Sequence, residues 1–170
     1  HVDDVLEKAD KARYAERTIR QTRVAHTTLG PVIDRARDRV EAARPEAAVR
    51  VVGDRDLAVV ADTNLDVALT ELCLYAVREQ DAPSPRVTLA VESDSPAGVH
   101  VDVSYPGPPV SANDREVLAN GEETPLRHCN GLGLWLATWI VENGRGTLAV
   151  PGDADHQFRL RLGRPATITP

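Results

Sequence analysis

Methionine is absent from the 170-residue sequence, and cysteine, lysine and aromatic residues are scarce. Because the chain lacks an initiator methionine, we expect it to be a fragment of a longer protein. Its two cysteines, Cys73 and Cys129, lie far apart without metal-ligand spacing, which favours reduced, buried or semi-buried thiols in a cytosolic protein. The five histidines are scattered, and none of them forms a pair at the spacing of metal ligands.

The sequence also has no long apolar run and no excess of positive charge. Its longest apolar run, 132–141, is far too short to span a bilayer, and no signal peptide is visible. The net charge of -6 argues against a nucleic-acid partner, because neutralising phosphates requires basic patches. Nearly all cations are arginines, the exceptions being Lys8 and Lys11, and this pattern with acid in excess fits a GC-rich or salt-adapted source.

What the sequence does contain is a regular alternation of helical and strand patterns. Residues 1–21 predict an amphipathic helix that either packs on the domain or ends a longer dimerising helix. Residues 22–163 predict one domain, and residues 164–170 a tail. The predicted strands are 22–29, 48–52, 57–61, 86–92, 99–104, 146–150 and 156–162, and the predicted helices are 31–43, 64–79, 114–119 and 132–143. Two strands flank the turn 53–56, and 86–104 forms a hairpin. Burying the helices on one face of a mixed, mostly antiparallel sheet predicts a two-layer α/β sandwich.

The segment 127–144 combines a polar loop, a glycine-led start and a strongly apolar helix. We expect the helix to stop at Asn143-Gly144, since both residues tolerate left-handed backbone angles. Glycines at a helix start let backbone amides approach an anion such as phosphate, although simple packing or turn glycines are commoner. The sequence has no Gly-Lys-Ser/Thr of a P-loop, and a Rossmann fingerprint would need Gly or Ala at Leu136.

Three segments in order carry a family resemblance: the helix segment 71–78, the hairpin end 103–110, and Asn130-Gly131-Leu132-Gly133-Leu134. They resemble the catalytic ATP-binding domain of sensor histidine kinases, one of the Bergerat-fold ATPases that include gyrase and MutL. The resemblance covers about 22–163. The segment 122–128, followed by 131–135, looks especially like kinases of halophilic archaea.

The resemblance implies a Bergerat α/β sandwich that uses ATP and Mg²⁺ in two-component signalling. The implied partners are a dimerisation and phospho-acceptor domain, in the same protein or another, and a response regulator. The full-length protein is then expected to be a homodimer, with this domain cytoplasmic and residues 1–21 descending from the dimerisation region. None of the chain's histidines lies in the acceptor context of the family, so the phosphorylated histidine is expected elsewhere or missing.

The first family motif maps onto the helix 64–79. The family's Mg²⁺-ligating Asn corresponds to Tyr75, and a phenol is a poor ligand for Mg²⁺. Glu71, one turn earlier, matches the position where hydrolysing relatives polarise water, and it is equally compatible with a solvated helix charge. Arg78 matches a basic position that meets phosphate.

The second family motif, Asp-x-Gly-x-Gly, is changed. Its adenine-binding Asp is replaced by Tyr105, its first Gly is kept as Gly107, and its second is Pro109, which lacks a backbone donor. Asp102 lies three residues before Tyr105. Strand alternation therefore places it on the opposite face, where it does not substitute.

The third family motif is kept, and Gly131, Leu132, Gly133 and Leu134 match it. Arg127 and His128 in the preceding loop either reach phosphates or are ordinary lid residues. With the metal and adenine positions changed, the sequence predicts a signal-transduction domain of a sensor histidine kinase with impaired Mg-ATP binding. The alternative is a catalytically inactive pseudokinase domain that acts by protein contacts.

Overall fold

The computed structural model describes residues 9–10, 12–17, 20, 23–95, 98–119, 132–152 and 157–166. All described residues up to Arg20 are helical. Ala15 in this segment is buried and belongs to the hydrophobic core, whereas its neighbour Tyr14 is exposed. The N-terminal helical segment therefore packs on the domain through Ala15.

Among the described residues after Arg20 there are four helices and seven strands, close to the boundaries that the periodicity predicts. The strands are β1 (Val24–Thr28), β2 (Ala48–Gly53), β3 (Ala58–Asp62), β4 (Arg86–Ser95), β5 (Gly98–Ser104), β6 (Thr147–Ala149) and β7 (Gln157–Gly163). The helices are α1 (Leu29–Ala43), α2 (Leu65–Glu79), α3 (Ala112–Ala119) and α4 (Leu132–Asn143). The predicted fold class is confirmed: a mixed sheet is packed with helices in an α/β arrangement.

The strands form one seven-stranded sheet in the order β1-β3-β7-β5-β4-β2, with β6 also pairing with β7. β2 pairs with β4 in parallel, and the other pairs are antiparallel. The predicted hairpin of β4 and β5 is confirmed. β2 and β3, which the sequence places around one turn, do not pair with each other and lie in different parts of the sheet.

The connection between β2 and β3 explains their separation. Gly53 has a φ of 96°, and an added Cβ there would lie 2.0 Å from the carbonyl oxygen of Val91 on β4. The chain then passes the start of α1, where the amides of Leu29 and Gly30 donate to the carbonyls of Leu57 and Arg55. The residues 54–57 are thus a crossover held by α1 and not a hairpin turn.

One face of the sheet is apolar and carries the helices. Val87, Leu89 and Val91 on β4 are buried, as are Val101 on β5 and Leu160 on β7. α2 contacts β4 and β5, while α1 and α4 pack on either side of α2. On the opposite face, the Arg159 guanidinium donates two hydrogen bonds to the Asp102 carboxylate, at 2.8 and 2.9 Å. This two-layer arrangement places α2 at the centre of the core.

The start of α2 and the end of α4 are joined through Asp62, the last residue of β3. Its carboxylate accepts hydrogen bonds from the backbone amide of Asn64 at 2.8 Å and from the side-chain amide of Asn143 at 2.7 Å. The N-cap position of α2 is Asn64, whose side chain makes no capping bond; the backbone amide of Asn64 donates instead to the Asp62 carboxylate. The buried carboxylate aligns the two helices that flank the candidate site.

Helix α4 ends at Asn143, as predicted, but for a different reason. The residue with left-handed backbone is Arg145, with a φ of 65°. Gly144 is needed for close approach, because an added Cβ would lie 2.6 Å from the backbone nitrogen of Asp62. The attribution of the helix stop to left-handed Asn and Gly was therefore wrong.

Candidate functional site

Helix α2 positions three of the residues that the sequence assigns to the site. Glu71 and Tyr75 lie one turn apart and are buried, at 7% and 2% exposure. Arg78 is exposed in the last turn, where a cation is favourable because of the helix dipole. The sequence forms a helix here because apolar side chains with few β-branched interruptions fill its length, from Leu65 to Leu74.

Tyr75, which the sequence resemblance aligns with the family's metal-binding Asn, is directed into the protein. Its ring meets the ring of Phe158 on β7 edge to face, with the centroids 5.3 Å apart and the planes at 79°. Its hydroxyl donates a hydrogen bond to Oδ2 of Asp114 on α3, at 2.7 Å. Both the ring and the hydroxyl of Tyr75 therefore already have partners within the protein.

Tyr105, which the sequence resemblance aligns with the family's adenine-binding Asp, is also buried, with 3% exposure. Its hydroxyl donates to the carbonyl oxygen of Pro108 at 3.2 Å. A Cβ added to Gly107 would lie 3.3 Å from the Tyr105 ring, so the loop passes close over the aromatic face. The loop 105–108 thus folds back on its own tyrosine.

The two phenols share an acidic environment. Burial raises the pKa of Tyr75 well above its usual range, and the hydrogen bond to Asp114 and the charges of Asp114 and Glu79 raise it further. Burial also raises the pKa of Tyr105 to about 12, with Glu79 and Asp114 as additional causes. Both hydroxyls accordingly stay protonated at neutral pH and serve as hydrogen-bond donors.

The kept glycine motif lies at the start of α4. Leu132, Gly133 and Leu134 form the first residues of this helix, and all three are buried. The first amides of a helix have no intrahelical partner, so this end favours an anion. Arg127, His128 and Gly131 lie outside the described residues.

The structure brings Tyr75, Tyr105 and Gly107 together and adds residues that the sequence analysis did not assign to the site. Asp114 is the foremost, since it is the partner of Tyr75. Ser111 precedes it by three positions; its hydroxyl accepts from the Asp114 amide at 3.2 Å and donates to the Asp114 carboxylate at 2.8 Å. The Ser-x-x-Asp spacing is a helix-capping signal that is visible in the sequence. No local pattern, by contrast, identifies Tyr75 as the hydrogen-bond partner of Asp114.

Three further features of the described residues concern metal binding, thiol reactivity and membrane-spanning helices. No group of three or more His, Cys, Asp or Glu side chains within them is arranged to hold a metal ion. Cys73 is buried in the core, and burial raises the pKa of its thiol to about 12, which makes it unreactive. Every helix in the described ranges falls short of the length and apolar character needed to cross a membrane.

Searches by sequence give no match, either to a protein-family model or to a curated protein. Solved structures do match. The catalytic domain of histidine kinase ThkA aligns with a TM-score of 0.65 and 21% identity, over 84% of this chain and 98% of its own. The ATP binding domain of PrrB from Mycobacterium tuberculosis aligns with a TM-score of 0.64 and 23% identity, over 84% and 98%. The Acinetobacter baumannii histidine kinase AdeS gives 0.66 and 14%, over 95% of this chain and 77% of its own.

These structures share with the chain a whole domain and not a fragment, because nearly the full length of the first two is covered. The level of identity is low, so the similarity concerns the fold. The chain therefore has the fold of the catalytic, ATP-binding domains of histidine kinases.

Proposed function

We propose that the chain is the signal-transduction domain of a two-component sensor histidine kinase in which binding of Mg-ATP is impaired. The observation that carries the proposal is the hydrogen bond from Tyr75 to Asp114, because it occupies the position of the family's metal-binding Asn with a contact internal to the protein. The fold shared with histidine kinase catalytic domains supports the signalling role.

The described residues do not fit a magnesium-bridged nucleotide. Mg²⁺ binds compact oxygen ligands in octahedral geometry, whereas the Tyr75 hydroxyl keeps its proton and donates it to a carboxylate. Tyr105 supplies a phenol where the family resemblance expects a carboxylate, and its hydroxyl is bound to Pro108. The metal and adenine contacts of the family are both missing at these positions.

The negative charge around the two phenols also disfavours nucleotide binding. Glu79 and Asp114 are close enough to Tyr75 and Tyr105 to raise their pKa values. Negative charges near a site disfavour a polyphosphate, most strongly where water is excluded. What remains for nucleotide is the amide-bearing start of α4, at Leu132, Gly133 and Leu134. Such a site binds phosphate weakly and without selecting adenine.

The second candidate function is a catalytically inactive pseudokinase domain that signals through protein contacts. The buried Tyr75 and Phe158 pair favours it, because aromatic packing at this place stabilises the fold without any ligand. The two candidates differ in whether nucleotide binding returns when the lost side chains are restored.

The proposal extends to architecture. Residues 1–21 are taken as the end of a dimerisation and linker region, and 22–163 as the ATPase-like domain. The partners are then the dimerisation and phospho-acceptor domain, a response regulator and a second copy of the full-length protein. The domain is proposed to work in the cytoplasm.

Calorimetric titration with ATP in the presence of Mg²⁺ tests the proposal. We expect the wild-type chain to bind with a Kd weaker than about 1 mM, and the double variant Tyr75→Asn/Tyr105→Asp to bind at least about tenfold more tightly, since each restored contact is worth roughly 1.5–3 kcal/mol. A micromolar affinity of the wild-type chain would overturn the proposal.

The matched control is the double variant Tyr75→Phe/Tyr105→Phe, which removes the same hydroxyls but adds no metal or adenine ligand. It should bind no better than the wild type. Thermal unfolding of all three chains verifies that each variant is folded. If Tyr75→Asn/Tyr105→Asp is folded and still gains nothing, the pseudokinase alternative is favoured.

A further inference from the structure

The Tyr75 hydroxyl connects two helices that make few other contacts with each other. Tyr75 lies in the central helix α2, and Asp114 lies in the first turn of α3, 39 positions later. The phenol is almost completely buried, while Asp114 is half-buried. A hydrogen bond from a buried phenol to a carboxylate at 2.7 Å has the length of a strong, charge-assisted bond.

Helix α3 otherwise contacts α4 and β6. It is 8 residues long, and Leu118 is its only buried side chain. Helices of this length are marginal on their own, because nucleation fixes several residues for each hydrogen bond gained. Neighbouring Val110 is buried and accepts a bond from the Arg115 side chain at 3.2 Å. The position of α3 therefore depends on a small number of contacts.

Asp114 is the residue at which the cap of α3 and its contact with α2 coincide. Its backbone amide donates to the Ser111 hydroxyl, and its Oδ2 atom accepts from both Ser111 and Tyr75. The same side chain thus closes the first turn of α3 and ties that turn to the core. A negative charge at this end of the helix is also favoured by the helix dipole.

We propose that the Tyr75–Asp114 hydrogen bond is a latch that fixes the N-terminal turn of α3 on α2 without nucleotide or metal. The latch deepens the proposed function and rests on it in one respect: the family resemblance identifies position 75 as the place where a metal-bound nucleotide would otherwise be held.

The ionisation of the phenol supports a permanent latch. Burial, together with the neighbouring carboxylates, raises the pKa of Tyr75 far above neutrality. The hydroxyl proton needed for the bond is therefore present at neutral pH.

Amide hydrogen exchange of the whole chain, without nucleotide, tests the latch. Tyr75→Phe keeps the ring against Phe158 and removes only the hydroxyl. We expect the amides of 112–119 to exchange about tenfold faster than in the wild type, while those of β4 and β5 change much less, because a net bond to a charged group contributes on the order of a factor of ten or more. Tyr105→Phe is the matched control, since it removes a nearby buried phenol hydroxyl bound to Pro108. It should leave 112–119 unchanged.

A double-mutant cycle separates the latch from the cap. Asp114→Ala removes the acceptor of the Tyr75 and Ser111 hydroxyls but keeps the backbone amide that donates to Ser111. Tyr75→Phe added to Asp114→Ala should therefore not accelerate exchange of 112–119 any further. The proposal is overturned if Tyr75→Phe leaves exchange of 112–119 at the wild-type rate. It is also overturned if the two substitutions act additively, or if β4 and β5 accelerate as much as α3. Since exchange is measured without ATP, its outcome is independent of whether the wild-type chain binds Mg-ATP.

Discussion

The two ends of helix α2 are both fastened to neighbouring helices, but by different chemistry. At the N-terminal end, Asp62 binds the Asn143 side chain at the end of α4, and Asp66 binds Arg39 of α1 at 2.9 Å. At the C-terminal end, a neutral phenol, Tyr75, donates to Asp114 of α3. The first end is held by bonds from amide and guanidinium groups to aspartate carboxylates, and the second by a bond from a phenol to a carboxylate.

This difference in chemistry distinguishes the N-terminal end of α2, which is structural, from the C-terminal end, which carries the candidate site. The carboxylates of Asp62 and Asp66 are buried and join elements that share the continuous core, so their role is structural. The phenols of Tyr75 and Tyr105 lie where the family resemblance expects a small metal ligand and a carboxylate. On the proposed function, the C-terminal end of α2 is where the chain keeps the fold and differs from the family in chemistry. We therefore expect the N-terminal end to be the more sensitive to substitution.

The largest effect on stability is expected from Asp62→Ala. Asp62 has 1% exposure, and its loss leaves the Asn64 amide and the Asn143 side chain without their partner. We expect the free energy of unfolding in urea to fall by about 3 kcal/mol.

Asp54→Ala is the matched control for Asp62→Ala. Asp54 makes the same kind of bond to an amide two residues on, from Asp56 at 3.0 Å, but it is exposed. Its loss should lower stability by less than about 1 kcal/mol. Equal effects of the two substitutions would show that the joint between α2 and α4 is not a structural centre.

A smaller loss, of about 2 kcal/mol, is expected from Gly144→Ala. The added Cβ would lie 2.6 Å from the backbone nitrogen of Asp62 and 3.0 Å from the Ala61 Cα, and backbone atoms move aside less readily than side chains. Gly163→Ala serves as the control, because nothing lies within 4 Å of a Cβ there. It should change the free energy of unfolding by less than about 0.5 kcal/mol. A neutral Gly144→Ala would argue that β3 and α4 separate easily.

The elements of the fold were predictable because their signals are local. The alternation of β4 and β5 identifies a hairpin, and the apolar stripe of α2 identifies a buried helix. The alternation also placed Asp102 and Tyr105 on opposite faces, and the structure has Tyr105 in the core and Asp102 bound to Arg159.

The pairing of strands was less predictable, since periodicity carries no information on which strand lies next to which. β2 and β3 follow each other in sequence, yet β2 pairs with β4. The segment that connects β2 to β3 is held against the start of α1, because the amides of Leu29 and Gly30 donate hydrogen bonds to its carbonyls. β2 and β4 pair in parallel. Parallel neighbours cannot be joined by a short turn, so the turns visible in the sequence do not reveal this pair.

The candidate site was predicted through the family resemblance and not through geometry. The resemblance singled out Tyr75 and Tyr105, but the partner of Tyr75 lies on α3, 39 positions later in the chain, and only the tertiary structure brings the two together. A sequence shows Asp114 only as a capping residue of a short helix. The acidic surroundings of both phenols likewise depend on tertiary contacts.

The smallest effect on stability is expected at alkaline pH, and it concerns the C-terminal end of α2. The pKa of Tyr105 is raised to about 12 in the folded chain, against an ordinary value near 10 in the unfolded chain. Between these values the unfolded state has lost the phenolic proton while the folded state retains it, so stability falls as pH rises. Below about pH 10 both states are protonated, and this contribution is fully present.

Urea denaturation at pH 9 and pH 11 measures this alkaline loss, with Tyr105→Phe as the reference because it lacks the titrating hydroxyl. The wild-type chain should lose about 1 kcal/mol more than Tyr105→Phe over this interval. In a Tyr14→Phe background, tyrosinate absorbance then reports only Tyr75 and Tyr105, since the chain has three tyrosines. Titration of both near pH 10 would mean that the phenols are open to water, and the contrast between the two ends of α2 would be lost.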